Sequence, residues 1–294
     1  MGQYSIKELE RLSGIKAHTI RIWEKRHNII QPLRTDTNIR LYSDDDLKKI
    51  INVSVLNTQG IKISKIAEMS FDEINRAILD MSEIKKDASV YIDQLVVSMV
   101  DMDEERFEKT LKSVIQQIGF ESTVTDVLYP FLEKIGILWQ VKKINPAQEH
   151  FISNLIRQKI IASIAALPIP IKKSKKAMLF LPEGELHEIG LLFFHYIVRK
   201  KGFKTFYLGQ SVPHEDLKAV YDVHQPEILI ASFISSPSSQ QLEKYIKLLS
   251  QDFSKATILA SGLMLRNTAF IIPKNVRTFY KATELSALID KFFV

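Results

Sequence analysis

The chain has 294 residues, enough for two or three domains that each bury a core. Hydrophobic residues make up 46% and charged residues 25%, an ordinary balance for a soluble globular protein. The absence of cysteine excludes disulfides, thiolate metal sites and a cysteine nucleophile. A formal net charge of +6 permits an anionic partner without demanding one. The polar start MGQYSIKELERL shows no signal-peptide pattern and no apolar run reaches membrane-spanning length, so a cytoplasmic protein with no membrane partner is expected.

In YSIKELERLSGIKAHTIRIWEKR, Ile6, Leu9 and Leu12 share one face of a first helix. Ser13-Gly14 supplies a tight turn, and a second helix is expected from about Lys16 to Arg26. Two short helices about a glycine turn form a helix-turn-helix, whose second helix can enter a major groove. Between residues 16 and 40, Lys16, Arg21, Lys25, Arg26, Arg34 and Arg40 stand against Glu24 and Asp36, a local cationic excess suited to phosphates. PLRTDTNIRLY (32–42) reads as two extended runs around a polar turn, a wing carrying Arg34, Arg40 and Tyr42 to a duplex backbone. The competing reading is a small helical protein-interaction domain with a solvated basic face.

The stretch TIRIWEKRHNIIQPLRTDTNIRLYSDDDL resembles the winged helix-turn-helix of MerR-type transcription regulators, especially members with a Trp-Glu pair in the recognition helix. The resemblance covers roughly residues 4–70. Where that family usually has a wing glycine this chain has Asn38, which also tolerates left-handed backbone. The resemblance implies that Thr19, Arg21 and Trp23 face DNA from the second helix and that Arg40 and Tyr42 touch phosphates. Lys16, Arg26 and Arg34, from the charge pattern, complete the candidate DNA-binding set. It also implies a double-stranded DNA operator bound by a homo-oligomer, dimer or tetramer. The helix after the wing (LKKIINVSVLNTQG, 47–60) has an apolar stripe and is expected to serve dimerisation.

Apolar positions at Ile92, Leu95, Val96 and Met99, then Phe107, Leu111, Val114, Ile115 and Ile118, keep a helical period that runs on to residue 165. Four or five helices forming a bundle are expected there. ALPIPIKKSKK (166–176) breaks the pattern with two prolines and a basic run, and reads as a linker. Beyond it, short apolar runs at 177–181, 205–208, 227–233, 256–260 and 276–280 alternate with helical stretches, the mark of a parallel sheet covered on both faces. The expected fold is multidomain α and α/β. A winged helix-turn-helix (1–72) precedes a four-helix-bundle cap (73–165), a linker (166–176) and a flavodoxin-like doubly wound parallel sheet (177–294).

PEGELHEIG (182–190) places Glu185, His187 and Gly190 as E-x-H-x-x-G in the loop after the first strand of that sheet, where ligands of open α/β sheets bind. An imidazole there can ligate a metal or act as a base, and a carboxylate two residues away can accept its other N–H. The competing reading is a surface histidine flanked by acids. The third strand ends in ASFISSPSS (231–239) and the fourth in ASGLML (260–265). Together these resemble the cobalamin-binding domain, with Ser261-Gly262 in place of that family's glycine pair and Ser235-Ser236 where threonines are common. The resemblance makes His187 the lower axial ligand of cobalt and Glu185 its orienting carboxylate. Gly190 leaves room for a bulky planar ligand, Ser232 supplies the tail-pocket hydroxyl with Ser236 in the same hydroxyl-rich loop, and Gly262 forms the pocket wall.

Trp139, nine residues and then Glu149-His150 resemble the helical cap of cobalamin-dependent MerR-type regulators, in which the tryptophan covers the upper corrin face and the Glu-His pair approaches the upper ligand. Alternatively, Asn145, Pro146 and Gln148 mark a helix start and Trp139 is core. Light-sensing members carry a histidine directly after the tryptophan. Here Gln140 stands there, so a second histidine ligand to cobalt is not expected. The resemblance implies a non-enzymatic transcription regulator, with no catalytic residue, whose assembly or DNA affinity follows bound cobalamin. Adenosylcobalamin is favoured, methylcobalamin or another form is the alternative, and a light response is open. The alternatives are a regulator whose cobalamin-like domain binds another protein or ligand, and a cobalamin-dependent methyl-carrier module.

Overall fold

The computed structural model describes residues 3–292 except 59, 71–72, 75–76, 78–87, 141–144, 172, 236–238 and 267–269, with backbone alone at 3, 137–140 and 239–240. The chain divides into two compact units, Met1–Leu155 and Ile156–Val294. No described helix is long and apolar enough to cross a membrane.

The first unit opens with β1 (Gln3–Tyr4), α1 (Ile6–Ser13) and α2 (Ala17–His27). Ser5 and Glu8 close a capping box on α1, and Gly14 ends it at φ 71°, a left-handed conformation that glycine adopts without steric cost. β2 (Leu33–Arg34) and β3 (Arg40–Ser43) are the two arms of the wing, antiparallel, and β1 adds a third strand on the far side of β3. The wing turns at Asn38 with φ 62°, as its side chain permits. The sequence pattern did not announce β1, which is only two residues long.

α3 (Asp44–Thr58) follows, its first turn carrying Asp44, Asp45 and Asp46 against the positive helix end. Leu47, Ile50, Ile51, Val53, Val55 and Leu56 are all buried, a set too wide for one stripe. The helix packs on both α1 and a later helix, α5 (Ala88–Asp101), and Lys48 Nζ reaches Asp101 at 2.6 Å. The apolar stripe expected to serve dimerisation is therefore covered by the chain's own helices. After the short α4 (Ile63–Ala67) and α5 come α6 (Glu104–Ile118), capped by Asp103, and a continuous helical run of Phe120–Ser122, a π-helical stretch Thr123–Leu128 and α7 (Tyr129–Gln140). α8 (Pro146–Ala165) completes four helices among the described residues of the middle segment, with Leu95, Phe107, Leu111, Val127 and Phe131 buried.

In the second unit β4 (Lys176–Pro182), β5 (Lys204–Val212), β6 (Ile228–Ser232), β7 (Thr257–Ser261) and β8 (Val276–Thr278) form one parallel sheet in the order β5-β4-β6-β7-β8. Counted within the unit this is 2-1-3-4-5, the flavodoxin-like doubly wound order, with its switch point between β4 and β6. The helices are α9 (Glu188–Lys200), α10 (His214–His224), α11 (Ser239–Asp252) and α12 (Ala282–Asp290). Met178 and Phe180, Leu229 and Ala231, and Ile258 and Ala260 share one core with Leu217, Tyr221, Leu242, Ile246 and Phe253 of the α10–α11 side. By the two-residue alternation of a strand, Ala177, Leu179, Leu181, Ile228 and Ile230 point to the other face, which α9 and α12 cover.

His195 of α9 sits against this sheet, its Nε2 2.8 Å from the Thr205 hydroxyl and its ring stacked on Tyr207 at 4.9 Å. Burial, with Arg199 adding to it, pushes its pKa down from 6.5 to about 4. The unfolded chain therefore binds this proton at a higher pH than the folded one. The contribution to stability is present above about pH 6.5 and is lost as pH falls through about 4. Denaturation at stepped pH is expected to show stability falling across that window, and His195→Gln is expected to flatten the slope there.

Candidate functional site

The loops after β4 and β6 meet at the switch point, and one side chain holds them together. Glu185 has no exposed surface. Its Oε1 accepts from the backbone N–H of Leu186 at 3.0 Å and of His187 at 3.1 Å. Its Oε2 accepts from Ile234 N–H at 2.9 Å and Ser235 N–H at 2.6 Å, and the Ser235 hydroxyl lies 3.2 Å from Oε1. A buried carboxylate is tolerable because these donors replace its water. The same Oε1 lies 2.6 Å from His187 Nδ1. A carboxylate at that nitrogen makes Nδ1 the protonated one and Nε2 the nitrogen through which such a ring binds a metal.

His187 is the N-cap residue of α9, and its side chain is 60% exposed. The next residue, Glu188, is buried in the first turn of α9, where the helix dipole favours an anion. Its Oε1 accepts from the Tyr207 hydroxyl at 2.9 Å. Arg157 Nε approaches its Oε2 at 2.7 Å, an ion pair without hydrogen-bond geometry. The Tyr207 hydroxyl is accordingly held protonated, its pKa raised by burial and by Glu188. Gln210 and Ser211, at the end of β5, bind Leu186 O at 2.7 Å and Gly184 N–H at 3.1 Å, so three strand ends brace the E-x-H loop.

The remaining candidates of this unit sit along the same edge. Ser232 is buried at the end of β6, in register with Ser261 of β7. Gly262 has φ 119°, and a Cβ there would stand 2.1 Å from the Phe233 carbonyl oxygen. Glycine is needed at 262 for the chain's own backbone crossing, rather than only as the wall of a pocket. Gly190 faces open space, with nothing within 4 Å of a Cβ placed on it. Ser236 lies outside the described residues; Ser235, which the sequence reading passed over as a site residue, is the hydroxyl that joins Glu185. Leu186 and Leu263 are exposed beside His187 and Gly262. A histidine whose Nδ1 is held by a buried carboxylate, bordered by open glycine and exposed leucines, fits an apolar macrocycle that brings its own metal.

In the first unit, Glu149 and His150 occupy the first turn of α8, with His150 Nδ1 3.3 Å from Glu149 Oε2 and Ser153 donating to Glu149 at 2.6 Å. Asn145 caps the helix by accepting from Ala147 N–H at 2.9 Å, and Gln148 closes the capping box at 3.3 Å, so the helix-start reading of this stretch holds as well. His150 is exposed. Trp139 and Gln140 are in the last turn of α7, and their side chains lie outside the described residues.

The helix-turn-helix presents Arg21, Lys25 and Arg26 outward from α2 and Lys16 from its N-cap, with Thr19 half-buried beside His18. Arg21, Lys25, Arg34 and Arg40 line a groove of about 600 Å³ between α2 and the wing. Arg34 is exposed and bound to Asn38 at 2.6 Å. Two expectations are corrected here. Trp23 is 5% exposed and belongs to the core with Ile20, because on α2 it lies on the face turned away from the exposed cations. Tyr42 is fully buried, its hydroxyl donating to Glu24 at 3.3 Å, and burial together with that carboxylate raises its pKa to about 12. Glu24 also takes Arg40 Nε at 3.0 Å, so half of the cationic wing pair is engaged within the chain. Glu24, overlooked in the sequence except as a charge, is the clasp between recognition helix and wing.

Residues 4–70 match the MerR HTH family regulatory protein, and residues 91–162 match a B12 binding domain. The chain thus carries a MerR-type helix-turn-helix followed by a B12-binding segment. It is homologous to the HTH-type transcriptional repressor CarH of Myxococcus xanthus, 26% identical over 254 residues, 84% of each chain. The repressor CarA of the same organism is 23% identical over 263 residues, covering 89% of this chain and 87% of that protein. The Methanosarcina barkeri monomethylamine corrinoid protein shares the fold at a TM-score of 0.53 and 15% identity, over 74% of this chain and 99% of that one.

Removing the Glu185 carboxylate takes the acceptor from four backbone N–H groups and a hydroxyl in loops that are only partly covered. Water can reach part of these donors, so the net loss of hydrogen bonds to a charged group, roughly 1.5–3 kcal/mol each at most, makes Glu185→Ala cost on the order of 2 kcal/mol. Urea denaturation reads the loss directly; an unchanged midpoint would contradict the role given to this side chain.

Proposed function

We propose that this protein is a DNA-binding transcription regulator whose assembly or operator affinity is set by bound cobalamin. The observation that carries the reading is His187, presented at the switch point of the sheet with Nδ1 held by Glu185, in a chain whose first 70 residues are a MerR-type helix-turn-helix. His187 Nε2 would be the lower ligand of cobalt. Ser232, Ser235 and the Gly262 backbone would border the nucleotide tail, and Trp139, Glu149 and His150 would serve the upper face. Bound cobalamin would supply a cobalt centre whose axial ligands can exchange, and so a signal that differs between its forms; adenosylcobalamin is the form proposed. Gln140 offers a neutral amide where a second histidine would be needed, so the response would not use a second protein ligand there.

Regulation then follows from linkage. If the cofactor binds one arrangement of the chain more tightly, that arrangement gains population, and whatever factor this puts on operator affinity, operator binding puts on cofactor affinity. Both Myxococcus relatives are named repressors, which supports repression as the output. The cations left outward, Arg21, Lys25, Arg26 and Arg34, would take phosphates.

Titrating purified protein with adenosylcobalamin is expected to shift the absorbance spectrum from the free cofactor's and to change the mass measured in solution, in the dark or after illumination. His187→Ala is expected to abolish the shift and the cofactor response of DNA binding while leaving the basal fold intact. Unaltered regulation in that variant would instead mark the sheet as a docking domain for another partner. Arg21→Ala or Arg26→Ala should reduce the steepness of log K against log salt by about 0.9 for each phosphate contact removed.

A further inference from the structure

The outward face of α2 carries one apolar side chain that folding does not use. Ile22 is 44% exposed, while Ile20 and Trp23 beside it are buried and already supply the inward face of the helix. Its helical neighbours at i−4, i+3 and i+4 are His18, Lys25 and Arg26, all exposed, and Arg21 adjoins it. Single exposed hydrophobics are common on protein surfaces and call for no explanation by themselves. Ile22 differs in its place, at the centre of a cationic face rather than at the margin of a core. Glu24, the acid of this helix, is drawn aside to Arg40 and Tyr42, so its carboxylate does not cancel that face.

Cations around the rim of such a face suit phosphates, and whatever stands at the middle meets base edges. The apolar feature of a major groove is the C5-methyl of thymine, which aliphatic side chains contact. We propose that Ile22 is a specificity-determining residue that packs on a thymine methyl in each half of the operator. This rests on the DNA-binding reading above and adds to it a base preference at one position. Arg21 and Arg26 contribute affinity that is blind to sequence; Ile22 contributes discrimination.

The test selects duplexes from a randomised pool with the full-length protein, with and without adenosylcobalamin, and then replaces each thymine of the selected site by deoxyuridine in turn. Wild type is expected to lose about fourfold in affinity at one thymine per half-site, the ~0.8 kcal/mol of one buried apolar carbon. Ile22→Ala should bind the thymine duplex more weakly, show no further loss at that position, and keep the salt dependence of wild type because it removes no charge. Equal sensitivity of wild type and Ile22→Ala at that thymine, or no sensitive thymine in the site, overturns the proposal while leaving DNA binding in place. Failure to select any duplex in either cofactor state overturns the DNA-binding reading itself, and the proposal with it.

Discussion

The buried carboxylate of Glu185 is the contact on which the second unit's site depends. Its four backbone donors come from two loops about 50 residues apart in sequence, so the hydrogen bonds bring the ends of β4 and β6 to a fixed distance. An ionised carboxylate is acceptor-only and can take several donors at once, which neither an amide nor a hydroxyl can do with the same charge assistance. The His187 imidazole is oriented as a by-product of this arrangement. Whatever ligand arrives meets a ring whose tautomer and direction are already settled, and spends little of its binding free energy on ordering the loop.

Glu24 plays a comparable part in the first unit. It ties α2 to the wing through Arg40 and Tyr42, and thereby converts a helix and a hairpin into one rigid reader. The cost is that Arg40 is partly neutralised. Affinity for a polyanion then falls to the cations that remain outward, and their geometry is set by the clasp. In both units an acidic residue that looks like surface charge in the sequence is turned inward to position the groups that meet a ligand.

The strands of the second unit were legible because each is a short apolar run bounded by turn residues, and parallel strands buried on both faces read that way. The helix-turn-helix was legible from Gly14 and from the spacing of Leu9 and Leu12. What escaped depended on contacts between residues far apart. Trp23 and Tyr42 are amphipathic types that serve equally at a DNA surface or in a core, and only the packing of α2 and the reach of Glu24, 18 residues before Tyr42, decides between them. Nothing in the string ISSPSS singles out Ser235, whose N–H reaches Glu185 across about 50 residues of sequence. The apolar residues of α3 read as one stripe for a second copy, but they are buried all round the helix against α1 and α5, since periodicity says that a face will be covered and not by what.

The packing of α3 also limits how α2 can move. With α3 wedged between α1 and α5, and Lys48 bonded to Asp101, the helix-turn-helix is packed onto the helices that follow it. Tilting α2 by any appreciable angle means sliding an apolar seam and parting a salt bridge. A displacement imposed on α2 is then passed to α3 and α5 as a shift of the whole seam, since its buried side chains leave no slack for one helix to bend alone.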